Sequence, residues 1–105
     1  MREAAPVFAA LGEATRLAIV AKLCSEGPLS IAKLSEGAGV TRQAVTKHLE
    51  TLAHAGLVHD TRFGRERIWE LETRRLEHAR RCLDQIADGW DRALARLKSF
   101  VEENP

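Results

Sequence analysis

The feature that most restricts this chain is an apolar seam near its C-terminus. Leu76, Ala79, Leu83, Ile86, Trp90, Ala93, Leu97 and Phe100 recur at alternating steps of three and four, and Ala87, Leu94 and Val101 widen the stripe. That is the spacing of a helix buried along one side for about three and a half heptads. At about 1.5 Å per residue the helix runs about 40 Å. A chain of 105 residues holds one domain and has little core left to cover such a length. The seam therefore predicts a second copy packed against it two-fold symmetrically, with the N-terminal helix and its Val7 and Phe8 alongside. The competing arrangement folds the seam back on the chain's own N-terminal helices. Thr73 is the expected N-cap. Gly89 costs a helix interior roughly 1 kcal/mol and leaves room beside Trp90.

The preceding residues divide into short helices. Val7, Phe8 and Leu11 lie on a helix from about Glu3 to Leu11. A second helix starts near Glu13, with Leu17, Val20, Leu23 and Cys24 on one face and Ile19 beside them. Gly27-Pro28 stops it, because proline cannot continue a helix. Ser30 is a good N-cap for a third helix, IAKLSEGA, with Ile31 and Leu34 inward. Gly39 then makes a tight turn at positive φ, Val40 is expected to plug the core, and Thr41 caps the next helix. Two short helices joined by a Gly-containing turn are a helix-turn-helix.

The stretch Thr41–Leu57 has two differently committed faces. Val45, Leu49 and Leu52 point inward. Gln43, Thr46, Lys47 and Glu50 form the outward stripe, whose amide, hydroxyl and ammonium suit base edges and phosphates. Arg42 and His48 flank it. Gly56 ends the helix. Leu57-Val58 reads as a short strand, TRFGRE as a turn with Gly64 at its tip, and Arg67–Leu71 as a second strand. Arg62, Arg65 and Arg67 thus sit on or near the tip of a β-hairpin, placed to reach a sugar-phosphate backbone or a minor groove. The chain reads as mostly α with one small β-hairpin. Residues 1–12 form an N-terminal dimer helix, 13–72 a winged helix-turn-helix, and 73–105 a C-terminal dimerisation helix.

Composition excludes more than it selects. A formal net charge of +1 gives no bulk pull toward nucleic acid. No stretch approaches the ~20 apolar residues of a bilayer span, and none resembles a signal peptide. No membrane is therefore expected, and cytoplasm with reduced thiols is the expected location. There is no tyrosine, no Gly-rich phosphate loop, and no Ser/His/Asp set or carboxylate pair that could build a catalytic pocket. No enzyme is expected.

With these pieces in order, Val7 to Leu71 resembles the ArsR/SmtB-type winged-helix repressors. The matching pieces are Ala10-Leu11-Gly12, Thr15-Arg16-Leu17, Gly27-Pro28-Leu29-Ser30, Gln43-Ala44-Val45-Thr46-Lys47-His48-Leu49, Leu52, Ala55-Gly56-Leu57-Val58 and Gly64-Arg65. The resemblance implies a homodimer that sits on double-stranded operator DNA, blocks transcription and lets go on a signal. It implies that Gln43, Thr46 and Lys47 face bases or phosphates and that His48 lies near the backbone.

The resemblance stops short of the family's metals. Members that bind arsenic or cadmium carry a Cys-x-Cys pair where this chain has Ser30 and Ala32, neither of which ligates a soft metal. Zinc-binding members need a ligand set in the last helix, which here offers one histidine, His78. No metal and no cofactor are expected, and any small-molecule inducer is unidentified. Some members sense oxidants or sulfane sulfur through one cysteine in the second helix and one in the last. Cys24 and Cys82 lie in those two helices, about one turn late and somewhat early, so a thiol-responsive repressor is one alternative. A small buried residue is the plainer reading of Cys24. A winged-helix module for protein association without DNA is the other alternative.

Overall fold

The computed structural model describes residues 1–104. A 3-10 turn, Arg2–Ala4, leads into helix α1, Ala5–Leu11, with Pro6 in the first turn, where a missing amide proton costs nothing. Helix α2, Ala14–Glu26, opens on Glu13, whose carboxylate accepts from the Arg16 amide at 3.0 Å. Leu29–Ser30 form a short strand, β1, and Ser30 then caps helix α3, Ile31–Ser35, by accepting from the Lys33 amide at 3.3 Å. Gly39 takes φ 73, as the turn requires.

Helix α4, Arg42–His54, follows, with Thr41 Oγ1 accepting from the Ala44 amide at 3.1 Å. Strands β2, Val58–Phe63, and β3, Glu66–Leu71, make the hairpin, and helix α5, Thr73–Glu103, completes the chain. Glu72 stands at its N-cap position, one residue before the expected Thr73.

The sheet is antiparallel in the order β1-β3-β2. Leu29 pairs with Trp69 and Ser30 with Ile68, so β1 ties the hairpin to the helix-turn-helix. Nothing in the residue pattern points to this two-residue strand. The hairpin is also longer than expected. Asp60, Thr61, Arg62 and Phe63 continue β2, and the loop shrinks to Gly64-Arg65. Gly64 has φ 65 and no other residue type has positive φ among the described residues, which fits a loop whose first residue alone needs the left-handed region.

One core gathers Val7, Ile19, Val20, Leu23, Leu34, Val45, Leu49, Leu52, Leu57, Val58, Trp69 and Ala79. Three residues expected in or near it are not there. Leu17 and Cys24 are exposed, and Val40 is 38% exposed. At about 100° per residue, the centre of the α2 face made by Ile19, Val20 and Leu23 falls near Arg16, with Leu17 and Cys24 both well round to one side of it. Arg16 takes the inward place because its charge is satisfied there: Nε donates to the Ala10 carbonyl at 2.6 Å.

The seam of α5 is divided. Leu76 is half-buried and Ala79 and Cys82 are buried beneath the chain's own N-terminal segment. Beyond them Leu83, Ile86, Trp90, Leu94, Leu97, Phe100 and Val101 are each between 47% and 66% exposed. Ala93 is half-buried. Val7 is fully buried in its own chain and Phe8 packs against the same core, so these two complete the single-chain body. The molecule measures 68 × 26 × 21 Å with a radius of gyration of 18.7 Å, against roughly 13 Å for a compact domain of this length. The excess is the free half of α5. Among the described residues no helix is long and apolar enough to cross a membrane.

Candidate nucleic-acid interface

Helix α4 is fixed from beneath. Val45, Leu49 and Leu52 are fully buried, which sets the rotation of the helix and leaves Arg42, Gln43, Lys47 and Glu50 in solvent. Thr41, at the cap, is exposed as well. Thr46 is half-buried, and its hydroxyl donates to the Arg42 carbonyl at 2.9 Å. Its two acceptor lone pairs and its methyl group are what it offers outward.

His48 is placed differently from the stripe. Its side chain is 24% exposed, with Nδ1 3.3 Å from Arg16 Nη1 and 3.7 Å from Glu13 Oε2. It locks α4 to the start of α2, and Arg16 carries the connection on to α1. Amide donors of Arg16 and Thr15 hold the Glu13 carboxyl below its ordinary value, with His48 adding a smaller electrostatic contribution. Sequence patterning gave no hint of this cluster, because Arg16 and His48 lie 32 residues apart in the chain.

The hairpin presents its cations unequally. Arg62 and Arg67 stand directly opposite each other, a like-charge pair that costs stability if both stay free. Arg67 is drawn off by Asp60, Nε to Oδ2 2.8 Å, and lies over the Trp69 ring, 4.9 Å from its centroid. The hydrogen bond from Arg67 in turn holds the Asp60 carboxyl below its usual range. Arg62 and Arg65 remain exposed at the tip beside Phe63, which is 79% exposed. That phenylalanine carried no sequence signal, because its neighbours read as a loop.

Helix and hairpin converge. Arg42, at the start of α4, and Arg65, Glu66 and Arg67, on the hairpin, line one cleft of about 270 Å³ with Ser30, Ile31 and Ala32, so three guanidiniums there face one carboxylate. A helix with an exposed polar face and a basic hairpin on the same side suit a groove and its flanking phosphates.

At the hairpin's other end, His59 Nε2 meets Glu70 Oε1 at 2.7 Å. Its Nδ1 lies 3.2 Å from Glu72 Oε2 without hydrogen-bond alignment. The Glu70 hydrogen bond pushes the imidazole above its ordinary value, with Glu72 adding to it. This joint links the wing to the root of α5. Cys24 is exposed on α2 and Cys82 is buried on α5, both as free thiols. Among the described residues no group of three or more His, Cys, Asp or Glu side chains gathers as metal ligands.

Comparison with known proteins agrees with this geometry. Residues 11–61 match a family model described as a helix-turn-helix domain. The chain is 37% identical over 93 residues to the HTH-type transcriptional regulator Rv2034 of Mycobacterium tuberculosis, spanning 89% of this chain and 83% of that protein. An ArsR-like transcriptional regulator from Rhodococcus sp. RHA1 superposes with a TM-score of 0.76 at 37% identity, covering 94% of this chain and 92% of that one. The homodimeric winged helix-turn-helix DNA-binding domain Mb0332 of Mycobacterium bovis has the same fold, with a TM-score of 0.65 at 22% identity over 89% of this chain and 82% of its own. The chain belongs to the ArsR-type winged helix-turn-helix family of DNA-binding transcriptional regulators.

Proposed function

We propose that the protein is a homodimeric repressor that reads its operator with α4 and clamps the flanking backbone with the wing. The observation that carries this is the convergence of Arg42 and Arg65 on one cleft beside the exposed stripe of α4. Gln43, with Thr46 beside it, reads base edges. Thr41, Arg42, Lys47, Arg62 and Arg65 hold phosphates. His48 and Arg67 act one step back, by fixing the helix and the hairpin.

Two copies are joined along the bare half of α5, through Leu83, Ile86, Trp90, Ala93, Leu97 and Phe100. The homodimeric Mycobacterium bovis domain of the same fold supports that arrangement. Two recognition helices about 34 Å apart would meet successive turns of one DNA face. Such a protein works in the cytoplasm on chromosomal DNA and needs no metal to bind it.

The test is a gel shift on the chain's own upstream region, read at several salt concentrations. Lys47→Ala is expected to weaken binding to every sequence and to lower the salt slope by about one. Gln43→Ala is expected to cost about 1–3 kcal/mol on the operator and little on unrelated DNA. If no promoter fragment binds in a salt-sensitive way, or if neither substitution matters, the winged helix serves protein association instead.

A further inference from the structure

We propose that the cleft between the N-terminal turn and the first turns of α5 binds a small multivalent oxyanion, a phosphate ester or a polycarboxylate, as a ligand site separate from the DNA-reading face. The cleft is about 510 Å³ and is lined by Glu3, Arg74, Arg75, His78 and Arg81. That volume suits a metabolite-sized ligand. Arg74, His78 and Arg81 follow one another at helical spacing and so share one side of α5. Arg75 is steadied against the end of α4, where a side chain at Gly56 would come within 3.2 Å of its Cγ and Nε.

The charges in this cleft do not balance. Three guanidiniums face a single carboxylate, Glu3, whose Oε2 is 3.9 Å from His78 Nε2. Among the described residues Arg74, Arg75 and Arg81 make no ion pair. The contrast lies one step around the helix, where Arg80 is held by Glu77 at 2.7 Å. The start of α5 worsens the imbalance. Its first turn carries no acidic residue, and the Glu72 side chain makes no capping hydrogen bond. Arginines at the positive end of a long helix repel it and each other while the cleft is empty. An oxyanion with two or more charges removes that repulsion, and the guanidinium fork binds carboxylate and phosphate oxygens in pairs.

The site is distinct from the operator face. Gly56 and Arg75 lie at the C-terminal end of α4, about 20 Å along the helix from Arg42. A ligand in the cleft would bridge the N-terminal turn to the root of α5.

The experiment is calorimetry and thermal unfolding of the whole chain with sodium pyrophosphate, with sodium citrate and with sodium chloride at matched ionic strength, in the absence of DNA. Saturable binding of pyrophosphate or of citrate beyond the chloride effect is the expected result, and whichever binds identifies the class. Arg74→Gln/Arg81→Gln, which exchanges exposed side chains and should keep the far-ultraviolet circular dichroism of the parent, is expected to weaken binding about tenfold or more. Glu3→Gln is expected to tighten it. The proposal is overturned if neither anion exceeds chloride, or if the double variant binds as the parent does. It is equally overturned if the double variant loses DNA affinity in anion-free buffer, for then the cleft is a contact to the DNA backbone.

Discussion

Helices α4 and α5 are both amphipathic, and the chain treats them in opposite ways. In α4 the inward residues Val45, Leu49 and Leu52 are fully buried by α1, α2, α3 and the hairpin. In α5 Ala79 and Cys82 are buried and Leu76 is half-buried, and seven large apolar residues beyond them stay about half exposed or more. On the proposed reading the polar face of α4 is therefore the functional one, held steady by a finished core. For α5 the same reading makes the apolar face the functional one, because the chain leaves it unfinished. Covering those seven side chains would contribute on the order of 10 kcal/mol per chain before the cost of association. One helix uses its apolar stripe in the fold of its own chain, and the other leaves most of its stripe bare.

Substitutions that shorten each stripe separate these roles. Leu49→Ala empties a fully buried position and is expected to lower unfolding free energy by about 2–5 kcal/mol. Urea unfolding should show that loss equally at low and high protein concentration. Trp90→Ala removes the largest side chain of the bare stripe, and its effect should depend on concentration. A dissociation constant for the dimer weaker by roughly thirtyfold, or about 2 kcal/mol, is expected from sedimentation equilibrium. If Trp90→Ala instead destabilised the protein independently of concentration, α5 would be buried within its own chain and the contrast between the helices would disappear.

The same contrast explains what could be read in the residues and what could not. Val45, Leu49 and Leu52 repeat at helical spacing, and the long seam of α5 does so more strongly, so both helices were legible. The turn glycines were legible too: Gly39, Gly56 and Gly64 all have positive φ. Less visible was any contact made by a polar residue facing inward. Arg16 displaced Leu17 from the core-facing side of α2, because a carbonyl at the end of α1 and a histidine on α4 satisfy its charge. Strand β1 was hidden because two residues are too few to show an alternation. Most of β2 was hidden because Asp60 through Phe63 are exposed on both faces, so they read as turn chemistry. For the site, the stripe of α4 and the wing arginines were legible as types. The pairing of Arg67 with Asp60 and the inward turn of His48 were not, since the first depends on the register of the hairpin and the second on a residue 32 positions away.

The two helices are also anchored by groups whose titrations are shifted in opposite directions. The hold on α4 runs through Glu13, whose carboxyl is depressed below 4.5 chiefly by backbone hydrogen bonds from Arg16 and Thr15. A depressed carboxyl stabilises the fold above its unfolded value, and this contribution is lost as pH falls through the folded one. At the root of α5 the anchor is His59, whose imidazole is raised above 6.5 chiefly by the hydrogen bond to Glu70. A raised imidazole gives its full stabilisation below 6.5 and loses it as pH climbs through the higher folded value. Both groups face solvent, so the effects are small, but their signs differ. Glu13→Gln should flatten the acid limb of a plot of urea midpoint against pH and leave the neutral limb intact. His59→Gln should do the reverse, removing the decline above 6.5 and sparing the acid limb. If both substitutions altered the same limb, the two helices would share one electrostatic anchor, and the wing joint would not be the separate root of α5 that its contacts with Glu70 and Glu72 describe.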